Sequence, residues 1–212
     1  ITGNFTVVDA KQLTIQLNAG ALPVPVTLIE ERTIGATLGS ASVQASLLAG
    51  MVGFGLVIFF MSLYYRLPGI LASLALIIYA ILTIALYKFI GVTFSLAGIA
   101  GFLISIGMAV DANVLIFERF KEEKRSGQPI NRALEQGFRR AWPSIVDSNI
   151  SSILTAVILY YTTTGLVRGF ALTLALGIGV SMFTAITVTS TLLRLVLRSR
   201  PNRAGTLIER VA

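Results

Sequence analysis

Cysteine and histidine are both missing from the 212 residues. Without cysteine there is no disulfide framework and no thiolate chemistry. Without histidine, any proton handled near neutral pH falls to carboxylates whose surroundings have altered their hold on it. Charge is scarce as well: 13% of residues are charged against 55% apolar, and the mean hydropathy is +0.82. That balance excludes an ordinary soluble domain and makes a lipid bilayer the expected solvent. The chain opens at Ile1 with neither an initiator Met nor a signal-peptide pattern, so it reads as a fragment of a longer protein.

What is present is a series of long apolar runs. A hydrocarbon core roughly 30 Å thick takes about 20 helical residues to cross, and five stretches qualify: 43–63, 69–87, 93–117, 144–164 and 169–193. The predicted fold is therefore all-α, five transmembrane helices within 39–197. Residues 1–38 precede them as a different kind of sequence, a cytoplasmic loop spans 118–142, and a tail follows from 198 to 212. Of the 17 Lys and Arg, all but Lys11, Arg32, Lys88 and Arg168 lie at Arg66, in the 118–142 loop or after Leu193. The positive-inside rule then places the N-terminal end outside and the C-terminus in the cytoplasm. The net charge of +7 is thus a topology signal. Nucleic-acid binding is not indicated, because the basic residues flank spans and form no aromatic-interleaved patch.

Asp9 with Gln12 suggests a capping box for a short helix that buries Leu13 and Leu17 and stops near Gly20. The Pro-punctuated stretch from Leu22 to Ile29 reads as extended. Together they suggest the α/β remnant of an extracytoplasmic domain, a membrane-entry linker being the alternative. In the loop, Ile130, Leu134, Phe138 and Trp142 recur every four residues behind Pro129, predicting an amphipathic helix along the membrane surface. It serves as a connector or, alternatively, as a partner-binding element.

Helices in lipid associate through small and hydroxylated residues. The third span carries Gly101, Ser105, Ala109 and Asn113 at steps of four. The fourth carries Ser148, Ser152 and Ala156, and the fifth Thr173, Gly177, Ser181, Ala185 and Thr189. These three helices are expected to form a tight interior cluster. The second span, Leu, Ile and Ala on every side, is expected at the periphery.

An acid at mid-membrane costs on the order of 3 kcal/mol on insertion scales and is a functional candidate by default. Asp111 lies roughly 10 Å along a helix axis before Glu118, and Asp111, Glu118 and Glu122 share one face, offering a route from the cytoplasm. No Lys or Arg lies within any span. Asp111 is therefore protonated, solvated, hydrogen-bonded, or paired with a cation from another polypeptide. A carboxyl group whose surroundings alternate between dry and wet can take up a proton in one state and lose it in the other; a packing acid that stays protonated is the alternative. Asp147 follows Pro143, which is expected to open its helix, so Asp147 either complements the helix dipole or begins a polar track with Asn149, Ser151 and Thr155.

The run from Gly98 to Arg119, GIAGFLISIGMAVDANVLIFER, closely resembles the fourth-helix signature of the SecD family, the membrane subunit that assists the Sec protein-export translocon. Supporting resemblances are Gly20 to Pro25, Glu31 to Gly35, Tyr64-Tyr65-Arg66, Asp147-Ser148-Asn149, Gly169-Phe170-Ala171 and Phe183-Thr184-Ala185. Ala36, Ser151-Ser152 and Tyr160 to Thr164 depart from the family pattern. The resemblance implies a resistance-nodulation-division type half-bundle missing its first helix. It also implies pairing with a SecF-like subunit or fused half, association with the SecYEG translocon and a preprotein substrate, and residence in a bacterial or archaeal cytoplasmic membrane. Asp111 would match the essential intramembrane acid, and Asp147 and Asn149 the polar fifth-helix motif. Protons would be the coupling ion, with no cofactor, no metal and no enzymatic activity. The rival functions are a small-molecule proton antiporter, an intramembrane aspartyl protease using Asp111 and Asp147 as a dyad, and a passive scaffold. Gly107 to Asp111 lacks the Gly-x-Gly-Asp spacing such proteases use.

Overall fold

The structure is a computed structural model, and it describes residues 6–18 and 36–199. They belong to two compact units, 1–36 and 37–212. In the first, α1 (Val7–Asn18) begins earlier than the Asp9–Gln12 pair suggests. Thr6 is the cap: its Oγ1 accepts from the Asp9 N–H at 3.3 Å and donates to the Asp9 carboxylate at 2.5 Å, so the cap falls at Thr6 and not at Asp9. Leu13 is half-buried, and Leu17 is exposed rather than buried. The extended stretch expected at 22–29 and the tail from 200 onward lie outside the described residues.

The second unit consists of α2 (Ala36–Ile90), α3 (Leu96–Arg125), α4 (Ile130–Thr162), α5 (Gly165–Thr184), a π-helical turn (Ala185–Thr189) and α6 (Ser190–Ser199). No strand occurs among the described residues. Four of these rods are long and apolar enough to cross a membrane, and the first of them makes two crossings. A straight helix of its 55 residues would reach about 80 Å. Instead Arg66 leaves the helical region at φ 50, ψ −118, and Ser62 Oγ comes within 3.3 Å of Ser73 Oγ, a pair that a straight helix would hold about 16 Å apart. The rod folds back as two arms, 36–65 and 67–90. Gly69 is required at the fold, since a Cβ there would lie 2.7 Å from the Met61 carbonyl carbon.

The second arm is not peripheral. Leu71, Ala72, Ala75, Leu76, Tyr79, Thr83 and Tyr87 are all buried. Two tyrosines tie the arm to its neighbours: Tyr79 Oη lies 2.7 Å from Ser105 Oγ, and Tyr87 Oη donates to the Thr173 carbonyl at 2.6 Å. In a lipid-like interior such a bond competes with no water, so a tyrosine hydroxyl can anchor an otherwise greasy helix.

α3 is capped by Ser95, whose Oγ accepts from the Gly98 N–H at 3.1 Å. It runs past the expected end of its span as far as Arg125 and closes at Gly127, φ +85, a left-handed stop suited to glycine. α4 starts just after Pro129 and continues without a break through Pro143. The predicted separate loop helix is therefore corrected: residues 130–142 are continuous with the fourth span in a single rod. They pack along the end of α3, with Phe117, Phe120, Ala133, Leu134, Ala141 and Ile145 in one buried cluster. Gly137 lets the rods touch, for a Cβ there would sit 2.8 Å from the Phe120 nitrogen. An ion pair between the buried Glu123 and the exposed Arg140 crosses the same junction. Packing against α3 offsets the amide lost at Pro143, so the proline does not open the helix and Asp147 lies well inside it. α4 is the least covered of the four rods, so the expected interior cluster of three helices is tight between α3 and α5 and open on the side of α4.

Candidate functional site

α3 has two faces, and its packing decides which residues remain available. Gly101, Ser105 and Ala109 are buried, as are Gly177 and Ser181 on α5. A Cβ on Gly101 would lie 2.7 Å from the Phe170 carbonyl oxygen, and one on Gly177 would lie 2.5 Å from Ser105 Cβ. Here the backbones of α3 and α5 are in direct contact, running side by side with Gly101 facing Thr173 and Ser105 facing Gly177. Asn113 continues this face one turn further. Its Nδ2 donates to the Ala109 carbonyl at 3.1 Å, and its Oδ1 accepts from Thr189 Oγ1 at 2.8 Å.

Asp111 stands about 200° round the helix from both Ala109 and Asn113, so it points away from α5. It is exposed on this chain's own bundle, and among the described residues no Lys or Arg forms an ion pair with it. It borders a one-sided cavity of about 140 Å³ between α3 and α4, lined also by Met108, Ala112, Leu115, Ile145, Ser148, Asn149 and Ser152. The polar atoms on the α4 side are arranged by the helix itself. Ser148 donates to the Ile145 carbonyl at 3.1 Å, Ser152 to the Ser148 carbonyl at 3.0 Å, and the Asn149 amide to the Ile145 carbonyl at 2.7 Å. With their hydrogens turned back onto the backbone, the serine oxygens offer lone pairs. The cavity thus joins a carboxylate to further acceptors, a lining suited to a proton-bearing or cationic guest and with room for several waters.

The other candidates fall elsewhere. Asp147 is exposed and does not line the cavity, so the two aspartates form no shared-proton dyad there. Its carbonyl accepts from Ser151 at 2.8 Å, and Thr155 in turn donates to the Ser151 carbonyl at 2.9 Å, so the track of hydroxyls beyond it is satisfied within the helix. Glu118 is held by Lys121 at 3.3 Å with the Tyr65 hydroxyl close by, and Glu122 by Arg119 at 2.8 Å. Lys121 is itself seated over the rings of Tyr64 and Tyr65, 5.1 and 4.8 Å from their centroids. Sequence reasoning did not single out Tyr79, although Tyr79, Thr83 and Tyr87 repeat at four residues on one face. It treated Ser148 and Ser152 as packing residues only. Nothing local marks the Glu123–Arg140 pair, whose members meet only because the two helices cross.

Comparison with known proteins places these observations in a wider group. Residues 17–199 match the family model described as "Protein export membrane protein SecD/SecF, C-terminal". The chain is 55% identical over 201 residues to the protein translocase subunit SecD of Synechocystis sp., covering 95% of this chain and 43% of that protein. It is 54% identical over 201 residues to the SecD subunit of Thermobaculum terrenum, covering 93% and 39%. Among solved structures it resembles SecDF of Thermus thermophilus, a translocon-associated membrane protein, with a TM-score of 0.80 at 38% identity, over 94% of this chain and 28% of that one. It also resembles a SecDF structure in a super-membrane-facing form, with a TM-score of 0.73 at 40% identity, over 93% and 27%. The chain spans less than half the length of these relatives.

Proposed function

Because the chain belongs to the SecD/SecF C-terminal family of protein-export membrane proteins, we propose that it is the membrane part of a SecD-like translocase subunit that couples proton passage at Asp111 to late-stage preprotein export. The observation that carries this reading is the placement of the one acid of α3's apolar stretch against an acceptor-lined cavity shared with Asn149. Asp111 takes up and releases the proton, and Asn149, Ser148 and Ser152 hold the water that delivers it. Asp147 and the surface carboxylates Glu118 and Glu122 mark the route to the cytoplasm. Glu122 sits in an exposed i,i+3 pair with Arg119, which is worth little and opens readily, whereas Glu118 pairs with the more buried Lys121 seated over Tyr64 and Tyr65.

A SecF-like subunit or fused half covers the open side of α3 and α4 and supplies the cation that Asp111 lacks here. The proposed surroundings are a bacterial or archaeal cytoplasmic membrane, with the SecYEG translocon and the preprotein as partners, the N-terminal end outside and the C-terminus inside. One charge crossing 100 mV gains about 2.3 kcal/mol, so repeated passages can bias the motion of an external domain that grips a preprotein. The small-molecule antiporter gains no support from the cavity, which at about 140 Å³ falls short of the roughly 300–1,000 Å³ of ordinary ligand pockets.

The deciding experiment is Asp111→Asn in the full-length protein. Proton-dependent stimulation of export should be lost while folding and complex assembly persist. Normal export by this variant, under conditions where deleting the protein impairs export, refutes the coupling role and leaves a scaffold.

A further inference from the structure

We infer that Asn113 and Thr189 are positioning residues: joined across the π-turn of the last span, they pin the rotation of α3 and thereby aim Asp111 into its cavity. This inference rests on the reading of Asp111 as the coupling carboxylate.

The geometry begins with the register of α3 against α5. Gly101 meets Thr173 and Ser105 meets Gly177, so the next steps of four bring Ala109 beside Ser181 and Asn113 beside Ala185. In an unbroken α-helix each four-residue step also drifts about 40° round the axis. By Thr189 the stripe that starts at Thr173 would have turned about 160° away from α3. The five-residue π-turn Ala185–Thr189 accommodates one extra residue and so turns the following helix back by about 100°. Thr189 consequently ends fully buried, with its hydroxyl 2.8 Å from Asn113 Oδ1.

The same carboxamide is tied at its other end to the Ala109 carbonyl of its own helix, so the side chain cannot swing, and the bond to Thr189 connects the α3 backbone to the wall of the last span. Asp111 lies on the opposite side of α3, about 200° from Asn113. A small rotation of α3 therefore moves the carboxylate sideways past Ser148 and Asn149, and at the level of the acid the Asn113–Thr189 bond adds to the backbone contacts at Gly101 and Gly177 in resisting it. Neither residue touches the cavity, so any effect on proton traffic must pass through the orientation of α3.

The test uses the full-length protein assembled with its partner in membrane vesicles. Cysteines replacing Met108 and Ser152, on the α3 and α4 sides of the cavity, report orientation through cross-linking by a short bis-thiol reagent. Proton uptake is measured without the cysteine pair. Thr189→Val keeps the shape and removes the hydroxyl; Thr189→Ser keeps the hydroxyl. The expected result is a ratio of cross-linked to free protein about threefold lower in T189V, the shift in a two-state ratio that one lost hydrogen bond of about 0.6 kcal/mol between membrane helices permits. Proton uptake should fall in parallel, and both should return in T189S. Unchanged cross-linking in T189V, equal loss in T189S, or lost cross-linking with full proton uptake would each overturn the inference. Should T189V fail to accumulate, Thr189→Ala is read the same way, and failure of both to assemble assigns Thr189 a folding role and overturns it too. Normal uptake by Asp111→Asn would sink the coupling reading separately, since the cross-linking arm does not depend on it.

Discussion

The contact between α3 and α5 makes a sharp prediction about two glycines that lie two residues apart. At Gly177 an added Cβ would sit 2.5 Å from Ser105 Cβ and 3.2 Å from the Tyr79 hydroxyl. The first of these is shorter than any real carbon contact, and Ser105 Cβ is fixed to its backbone, so Gly177→Ala must wedge the helices apart. Overpacking of this kind costs about 1–3 kcal/mol. Displacing Ser105 also strains its 2.7 Å bond to Tyr79, adding on the order of 0.6 kcal/mol for a hydrogen bond between membrane helices. At Gly179 the same methyl meets nothing within 4 Å, so Gly179→Ala should be neutral or stabilising by up to about 1 kcal/mol, the ordinary helix preference for alanine. Equilibrium unfolding of the full-length protein in mixed detergent micelles, followed by loss of helicity, measures both. Ser105→Gly in the Gly177→Ala background should recover part of the loss by removing the clashing atom, the bond to Tyr79 staying lost. Equal stabilities for the two alanine variants, or no recovery in the double variant, would refute the direct backbone contact on which the bundle description rests.

Other expectations follow from the junctions. Arg66 holds φ 50 and ψ −118, a conformation glycine adopts freely and other residues adopt at a cost of about 1–3 kcal/mol. Arg66→Gly should therefore be more stable than Arg66→Ala by about that amount in the same unfolding assay, the loss of the arginine side chain being common to both. Arg140→Ala leaves the buried Glu123 carboxylate without its partner, so it should destabilise more than the Glu123→Ala/Arg140→Ala double variant does, as thermal inactivation of the assembled protein would show. Asp111→Asn should abolish proton-dependent export without loss of assembly, and Thr189→Val should loosen the aim of that acid, with Thr189→Ser restoring it.

The crossings themselves were legible because a bilayer imposes a length and a polarity that any 20-residue run either meets or fails. The acid in the third span was legible for the same reason, since one charge in an apolar run stands out in composition alone. The small-residue stripes of α3 and α5 were equally plain: steps of four along a helix describe a face whatever lies against it. Prediction failed where the answer depended on a second helix. The 67–90 arm looked peripheral because periodicity weighs its many apolar residues and misses what two buried tyrosine hydroxyls can reach. Pro143 looked like a helix start because the missing amide is a local cost, whereas the packing of 130–142 along α3 that offsets it is not local.

The amino-acid sequence by itself determined that this is a helical membrane protein with Asp111 in its third span, because those properties follow from hydropathy and from the spacing of residues along one chain. Only the tertiary structure decided that Asp111 shares a cavity with Asn149 and not with Asp147, and that a π-turn brings Thr189 onto Asn113. The physical reason is that helix rotation and register are set where two backbones touch, at Gly101, Gly137 and Gly177; a stripe of small residues marks the face that makes the contact, but not which residue of one rod meets which residue of the other.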